Sequence, residues 1–186
     1  CIRDRNYIGG EFDLNPMTLR DVLEEDFEQF FKLKNNHLYF STGRKALSHI
    51  LGKIKNKNKI YVPDYACWDS LGPVLVEHGL EWQKYDIGID FSPNFSKLHG
   101  DIDIILFINF FGICNFKSIA SQLRKRFPNI VIILDNVQAL YDLKNNAENG
   151  SWADWQYFSF RKFLQTSHEP LQSCDFLLDL HKGLRG

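Results

Sequence analysis

Two segments of the chain, IDIILFINF (102 to 110) and NIVIILD (129 to 135), are almost unbroken in Ile, Leu, Val and Phe. Between them Phe116, Ile119, Ala120, Leu123 and Phe127 recur at helical spacing. A strand that is apolar on both sides needs cover on both faces, and a parallel sheet flanked by crossover helices provides it. HLYF (37 to 40), KIYVPD (59 to 64), LEWQKYDI (80 to 87), DWQYFSF (154 to 160) and CDFLLDL (174 to 180) read as further strands, seven in all. Ala46, Leu47, Ile50, Leu51 and Ile54 mark a second amphipathic helix. Leu71, Val74 and Leu75 suggest a third, weakened in its first turn by Gly72 and Pro73. Strand-helix-strand alternation with right-handed crossovers gives an α/β fold, a mostly parallel seven-stranded sheet with helices on both faces. Leu19, Val22, Leu23 and Phe30 predict a peripheral helix, and 91 to 100 and 144 to 151 read as loops from their Gly, Pro, Asn and Ser.

At 186 residues the length suits a single domain over 1 to 186. Lys+Arg of 22 against Asp+Glu of 23 leave a net charge of -1, so no strong field draws nucleic acid or an anionic membrane. No apolar run approaches the ~20 residues of a membrane span, and no leader-like segment opens the chain. Cys1, Cys67, Cys114 and Cys174 form no C-x-x-C pair and the six His are scattered. Reduced thiols in the cytoplasm and no metal site are therefore expected. Cys1 stands where Met would begin a chain and the sequence stops soon after an apolar run, which suggests a partial sequence.

In an open α/β sheet, ligands bind beyond the carboxyl ends of the strands. After the first strand, Ser41-Thr42-Gly43-Arg44-Lys45 opens a helix. This is either a simple N-cap or a phosphate cradle, with Arg44 and Lys45 favouring an anion. Asp135 ends a buried strand, where a carboxylate needs a cationic or hydrogen-bonding partner, and Gln138 follows three residues on. Ser159-Phe160-Arg161-Lys162 ends another strand, and Arg161 is placed to lower the amine pKa of Lys162. A cradle, a buried Asp and a Lys are together what pyridoxal 5'-phosphate (PLP) needs for its phosphate, its pyridine nitrogen and its aldehyde. Trp152 and Trp155 read as packing aromatics, and no G-x-G-x-x-G follows the first strand, against a dinucleotide site.

Four segments in this order resemble the DegT/StrS-type (DegT/DnrJ family) sugar aminotransferases of fold-type I. Thr42-Gly43-Arg44-Lys45-Ala46-Leu47 is similar to the family's phosphate motif, and Val62-Pro63-Asp64-Tyr65-Ala66-Cys67 to its V-P-S-Y segment. Asp135-Asn136-Val137-Gln138-Ala139 is similar to its D-x-x-Q/H-A, and Tyr157-Phe158-Ser159-Phe160-Arg161-Lys162 to its lysine segment. The resemblance implies the large cofactor-binding domain of that fold, without the C-terminal small domain.

It further implies that Lys162 is the catalytic Schiff-base lysine and Asp135 the pyridinium partner, with Gln138 near the ring hydroxyl. Gly43, Arg44, Lys45 and Ser159 would hold the phosphate. Where the family sets an aromatic over the cofactor this chain has Cys67, leaving Trp68 or Tyr65 to supply the ring. The family's Gly-Gly after the lysine is replaced by Gln165 to Pro170. The implied function is PLP-dependent amination of a keto sugar, nucleotide-linked, for polysaccharide synthesis. Glutamate would be the amino donor and the enzyme a cytoplasmic homodimer. The alternative is a catalytically silent PLP-fold protein serving as a binding module. A dehydratase of the same family would need the lysine absent or replaced by His, which Lys162 opposes.

Overall fold

The computed structural model describes residues 37–98, 100–139, 152–159 and 176–179. The expected opening helix, the 144 to 151 loop and Lys162 lie outside the described residues. The elements run β1 (His37–Phe40), α1 (Gly43–Lys53), β2 (Lys59–Pro63), α2 (Trp68–Glu77), β3 (Glu81–Ile87), β4 (Pro93–Asn94), β5 (Ile104–Ile108), α3 (Phe116–Arg126), β6 (Val131–Asn136), β7 (Trp155–Ser159) and β8 (Phe176–Asp179). They build one sheet in the order β1-β8-β7-β6-β5-β2-β3-β4. β2, β3, β5, β6 and β7 are mutually parallel, and β8 runs antiparallel between β7 and β1.

The two apolar runs form adjacent central strands, paired from Ile104↔Val131 to Ile108↔Asp135. Their side chains alternate between two cores, as the period of two requires. Ile104, Leu106 and Ile133 pack with Ala46, Leu47, Ile50 and Leu51 of α1 and Leu71, Val74 and Leu75 of α2. On the opposite face Ile105, Phe107, Ile132 and Leu134 pack with Phe116, Ala120 and Leu123 of α3. Helices therefore cover both faces. Trp155 belongs to the first core and Trp152 packs against the second.

The expected seven strands become eight, because the segment read as a loop contains β4. Gly88 N–H donates to the Ser92 carbonyl (2.9 Å) and Phe91 N–H to the Gly88 carbonyl (3.0 Å). Asp90 Oδ1 accepts from the Ser92 amide (3.1 Å) and hydroxyl (2.7 Å). The turn carries Pro93 and Asn94 back along Ile87 and Asp86. A Cβ on Gly88 would lie 2.7 Å from Asp90 Oδ1, so a larger residue there would have to displace the Asp90 carboxylate from its bonds to Ser92.

α2 is a full helix despite Pro73. The proline removes the donor for the Asp69 carbonyl, but Pro73 is exposed, where water can satisfy that group. The apolar residues Leu71, Val74 and Leu75 on the opposite side hold the helix to the core.

Candidate functional site

β1 is antiparallel to β8 and β8 to β7, so β1 points the same way as the parallel strands. The carboxyl ends of β1, β2, β5, β6 and β7 thus share one sheet edge. β2 has β3 on one side and β5 on the other, which places a switch of winding direction between β2 and β5. A crevice at such a point is where α/β sheets bind ligands. A cavity of about 610 Å³ opens at this edge.

One wall is the β1–α1 turn, from which Ser41, Thr42, Gly43 and Arg44 line the cavity. Thr42 caps α1, its hydroxyl accepting from the Lys45 amide (3.2 Å) while its carbonyl accepts from the Ala46 amide (3.1 Å). The Gly43 and Arg44 amides precede these bonds and belong to the donors a helix start leaves to other partners. With the helix dipole and the Arg44 guanidinium they suit an anion. The turn is an N-cap, and it also lines the cavity. Lys45 does not line the cavity and is exposed. Successive helical residues are about 100° apart, which turns Lys45 away when Arg44 faces in.

Asp135 at the end of β6 forms the opposite wall with Gln138. Its Oδ1 accepts from the Val137 amide (2.8 Å) and its Oδ2 from the Tyr157 hydroxyl (2.8 Å). Tyr157 lies beside Asp135 in the β6–β7 register, is 4% exposed and also lines the cavity. Burial first, and then the Asp135 charge and its hydrogen bond, push the phenol well above its ordinary 10.0. It is thus a protonated donor throughout the neutral range. Sequence reasoning quoted Tyr157 within a motif without giving it a role. The signal was its position two residues before Ser159, which puts both side chains on the same sheet face.

Among the described residues, Gln138 Oε1 and Ser159 Oγ are buried without a hydrogen-bond partner. Ser159 is 0% exposed. An orphaned buried polar atom costs about 1 to 3 kcal/mol; Gln138 lines the cavity, whereas Ser159 is not among the lining residues and stands at the end of β7 on the same sheet edge. A phosphate at a helix start, a ring hydroxyl beside an amide and a pyridine nitrogen beside a carboxylate match the donors and acceptors present. The residues therefore fit PLP.

Tyr65 and Cys67, after β2, also line the cavity, and Leu106 and Ile108 contribute from β5. Trp68, expected at the cofactor, is not among the lining residues. Its indole N–H donates to the Asp64 carbonyl (3.0 Å), and the Lys84 ammonium of β3 sits 3.9 Å above its ring. These two partners hold the indole out of the cavity. Tyr65, the other aromatic weighed at this position, is 64% exposed and stacks obliquely on Phe110 at 5.4 Å. Asp64 fixes the turn that carries it, accepting at Oδ1 from the Tyr65 (2.7 Å) and Ile87 (3.1 Å) amides.

No protein-family model matches the sequence, and no curated protein matches it. Solved structures do. PseC of Helicobacter pylori, an aminotransferase involved in the biosynthesis of pseudoaminic acid, is similar at 17% identity with a TM-score of 0.68, over 95% of this chain and 53% of that one. A DegT DnrJ EryC1 StrS aminotransferase from Brucella abortus is similar at 16% identity and a TM-score of 0.62, over 91% of this chain and 47% of that one. An aspartate aminotransferase from Thermus thermophilus reaches 13% identity and a TM-score of 0.60, over 92% and 55%. The chain spans about half the length of these structures. At such identities the likeness is one of fold, and the fold is the one found in the DegT/DnrJ/EryC1/StrS sugar aminotransferases.

Proposed function

We propose that residues 1 to 186 act as the PLP-binding large domain of an aminotransferase that converts a keto sugar, carried on a nucleotide, into an amino sugar for polysaccharide synthesis. Glutamate is the amino donor, and the enzyme works as a homodimer in the cytoplasm. One observation carries the reading: a capped helix start, a carboxylate held by two donors and the cavity-lining Gln138, with its unpartnered buried oxygen, meet at a single cavity. Unpartnered Ser159 Oγ lies at the end of β7 on the same sheet edge. Among the described residues no helix is long and apolar enough to cross a membrane.

In this reading the Gly43 and Arg44 amides, the Arg44 guanidinium and the Ser159 hydroxyl bind the phosphate. Lys45 contributes at most general positive charge, since its side chain stands outside the cavity. Asp135 would hold the ring nitrogen through its carboxylate, and Gln138 would hold the ring hydroxyl. Tyr65 takes the place of the family's aromatic over the ring, with Cys67 beside it. Lys162 would hold the cofactor through its amine and would be the base for the proton of the amino-bearing carbon. PLP supplies an aldehyde for that amine and a protonated ring that withdraws electrons from the carbon losing its proton.

The test is the visible absorption spectrum of the protein mixed with PLP, before and after borohydride, followed by peptide mass spectrometry, with Lys162→Ala alongside. A band that borohydride bleaches, with the pyridoxyl mass fixed on Lys162, is expected. A folded protein that gives no band would leave the silent binding module as the function.

A further inference from the structure

The carboxylate of Asp135 is gripped from two sides by its own chain. Val137 N–H holds Oδ1 and the Tyr157 hydroxyl holds Oδ2, each at 2.8 Å. The grip is built into the sheet. Asp135 and Tyr157 are direct partners in the parallel β6–β7 register, so the two side chains stand abreast on the same face. The Tyr157 ring is buried in the core beneath α1 with Leu47 and Leu106, which fixes where its hydroxyl ends.

A phenylalanine would fill the same volume. The hydroxyl adds only one thing, a donor aimed at the carboxylate. We propose that Tyr157 is a positioning residue that holds Asp135 ionised and oriented, so that a proton shared with a bound pyridine ring resides on the ring nitrogen rather than on the carboxylate. The proposal rests on the PLP reading above.

The chemistry follows from competition for that proton. A carboxylate at a partly buried strand end is drawn toward its neutral form by desolvation, and donors to its oxygens oppose this. Each carboxylate oxygen carries two acceptor sites, so neither the Tyr157 nor the Val137 bond by itself fills the oxygen it reaches. If the Tyr157 donor is removed, the carboxylate becomes more basic and the shared proton moves toward Asp135. The ring would then be a poorer electron sink, with its binding contacts otherwise intact.

The experiment is nitrogen NMR of the protein loaded with ring-¹⁵N PLP at a fixed neutral pH, as wild type, as Tyr157→Phe and as Asp135→Asn. The wild type is expected to show a pyridinium signal. In Tyr157→Phe the signal should move toward that of neutral pyridine, with the affinity for PLP weakened by about tenfold. Asp135→Asn marks the limit of the shift. A folded, PLP-loaded Tyr157→Phe with the wild-type signal overturns the proposal and leaves Tyr157 a packing residue. Should Tyr157→Phe not fold, fluorotyrosine at position 157 strengthens the donor without changing the packing. A signal that then stays at the wild-type position, rather than moving further toward pyridinium, also overturns the proposal. Failure of the wild type to bind PLP overturns the cofactor reading itself, a result distinct from an unchanged signal.

Discussion

At the scale of single residues, one orphaned oxygen puts the proposed phosphate contact to the test. Ser159 Oγ is wholly buried without a partner, which disfavours the empty fold by about 1 to 3 kcal/mol. Ser159→Ala deletes the orphaned oxygen and leaves almost the same volume, so the empty protein should gain about 1 kcal/mol in urea melts. The same variant should bind PLP more weakly in a fluorescence titration, because the phosphate loses a donor. Opposite signs in the two measurements separate a ligand contact from a packing defect. If stability rises and affinity holds, Ser159 is not a phosphate residue. Asp135 was legible as a candidate because a carboxylate ending an apolar strand needs hydrogen-bonding partners, and the Val137 amide and Tyr157 hydroxyl are two of them. Trp68 and Lys45 could not be judged from sequence. Whether each side chain faces the cavity depends on Lys84 from another strand in one case and on one step of helical rotation in the other.

At the scale of elements, α2 shows how a local signal sets a boundary. Gly79 adopts φ 61 just past the helix, with its N–H on the Val76 carbonyl (3.0 Å) and the Leu80 N–H on the Leu75 carbonyl (3.1 Å). This is the paired Schellman closure, and Leu75 and Leu80 meet in the core beneath it. A Cβ on Gly79 would meet nothing within 4 Å, so Gly79→Ala tests the left-handed backbone alone. It should destabilise by about 1 kcal/mol in thermal or urea unfolding and leave PLP affinity unchanged. A loss near zero would mean that the helix end rearranges. The two central strands and the helices on both faces were legible because continuous apolar runs and helical spacing each have one physical reading. β4 was not, since a two-residue strand owes its existence to the turn before it. The insertion of β8 between β7 and β1 is likewise a matter of long-range pairing, which no local pattern encodes.

At the scale of the whole molecule, both cores enclose tyrosines whose hydroxyls are satisfied by other elements, Tyr157 in the first and Tyr61 and Tyr85 in the second. Tyr157 donates to Asp135 beneath α1, and on the α3 side Tyr85 donates to the Leu106 carbonyl at 2.8 Å. Burial is the leading cause that raises both phenols well above 10.0. The unfolded chain releases its phenolic protons near pH 10 while the folded chain keeps these two. The folded state then binds more protons, and its stability must fall as pH rises. The stabilisation is fully present below pH 10 and is lost above it at about 1.4 kcal/mol per pH unit for each tyrosine. The Cys114 thiol, raised above 9.0 by burial and by Asp90, starts the decline earlier. Urea melts from pH 8 to 11 should therefore show a plateau that bends downward from about pH 9 and steepens past 10, with the tyrosinate absorbance of Tyr85 and Tyr157 withheld until the protein unfolds. Tyr85→Phe should lower stability at neutral pH by removing the donor to Leu106, yet flatten the alkaline slope by about 1.4 kcal/mol per pH unit. An unchanged slope would mean that Tyr85 ionises in the folded protein, and so that the core around Phe107 and Phe95 admits water. Because Tyr157 sits on the other core, Tyr157→Phe should flatten the slope by the same amount independently, and the double variant should add the two.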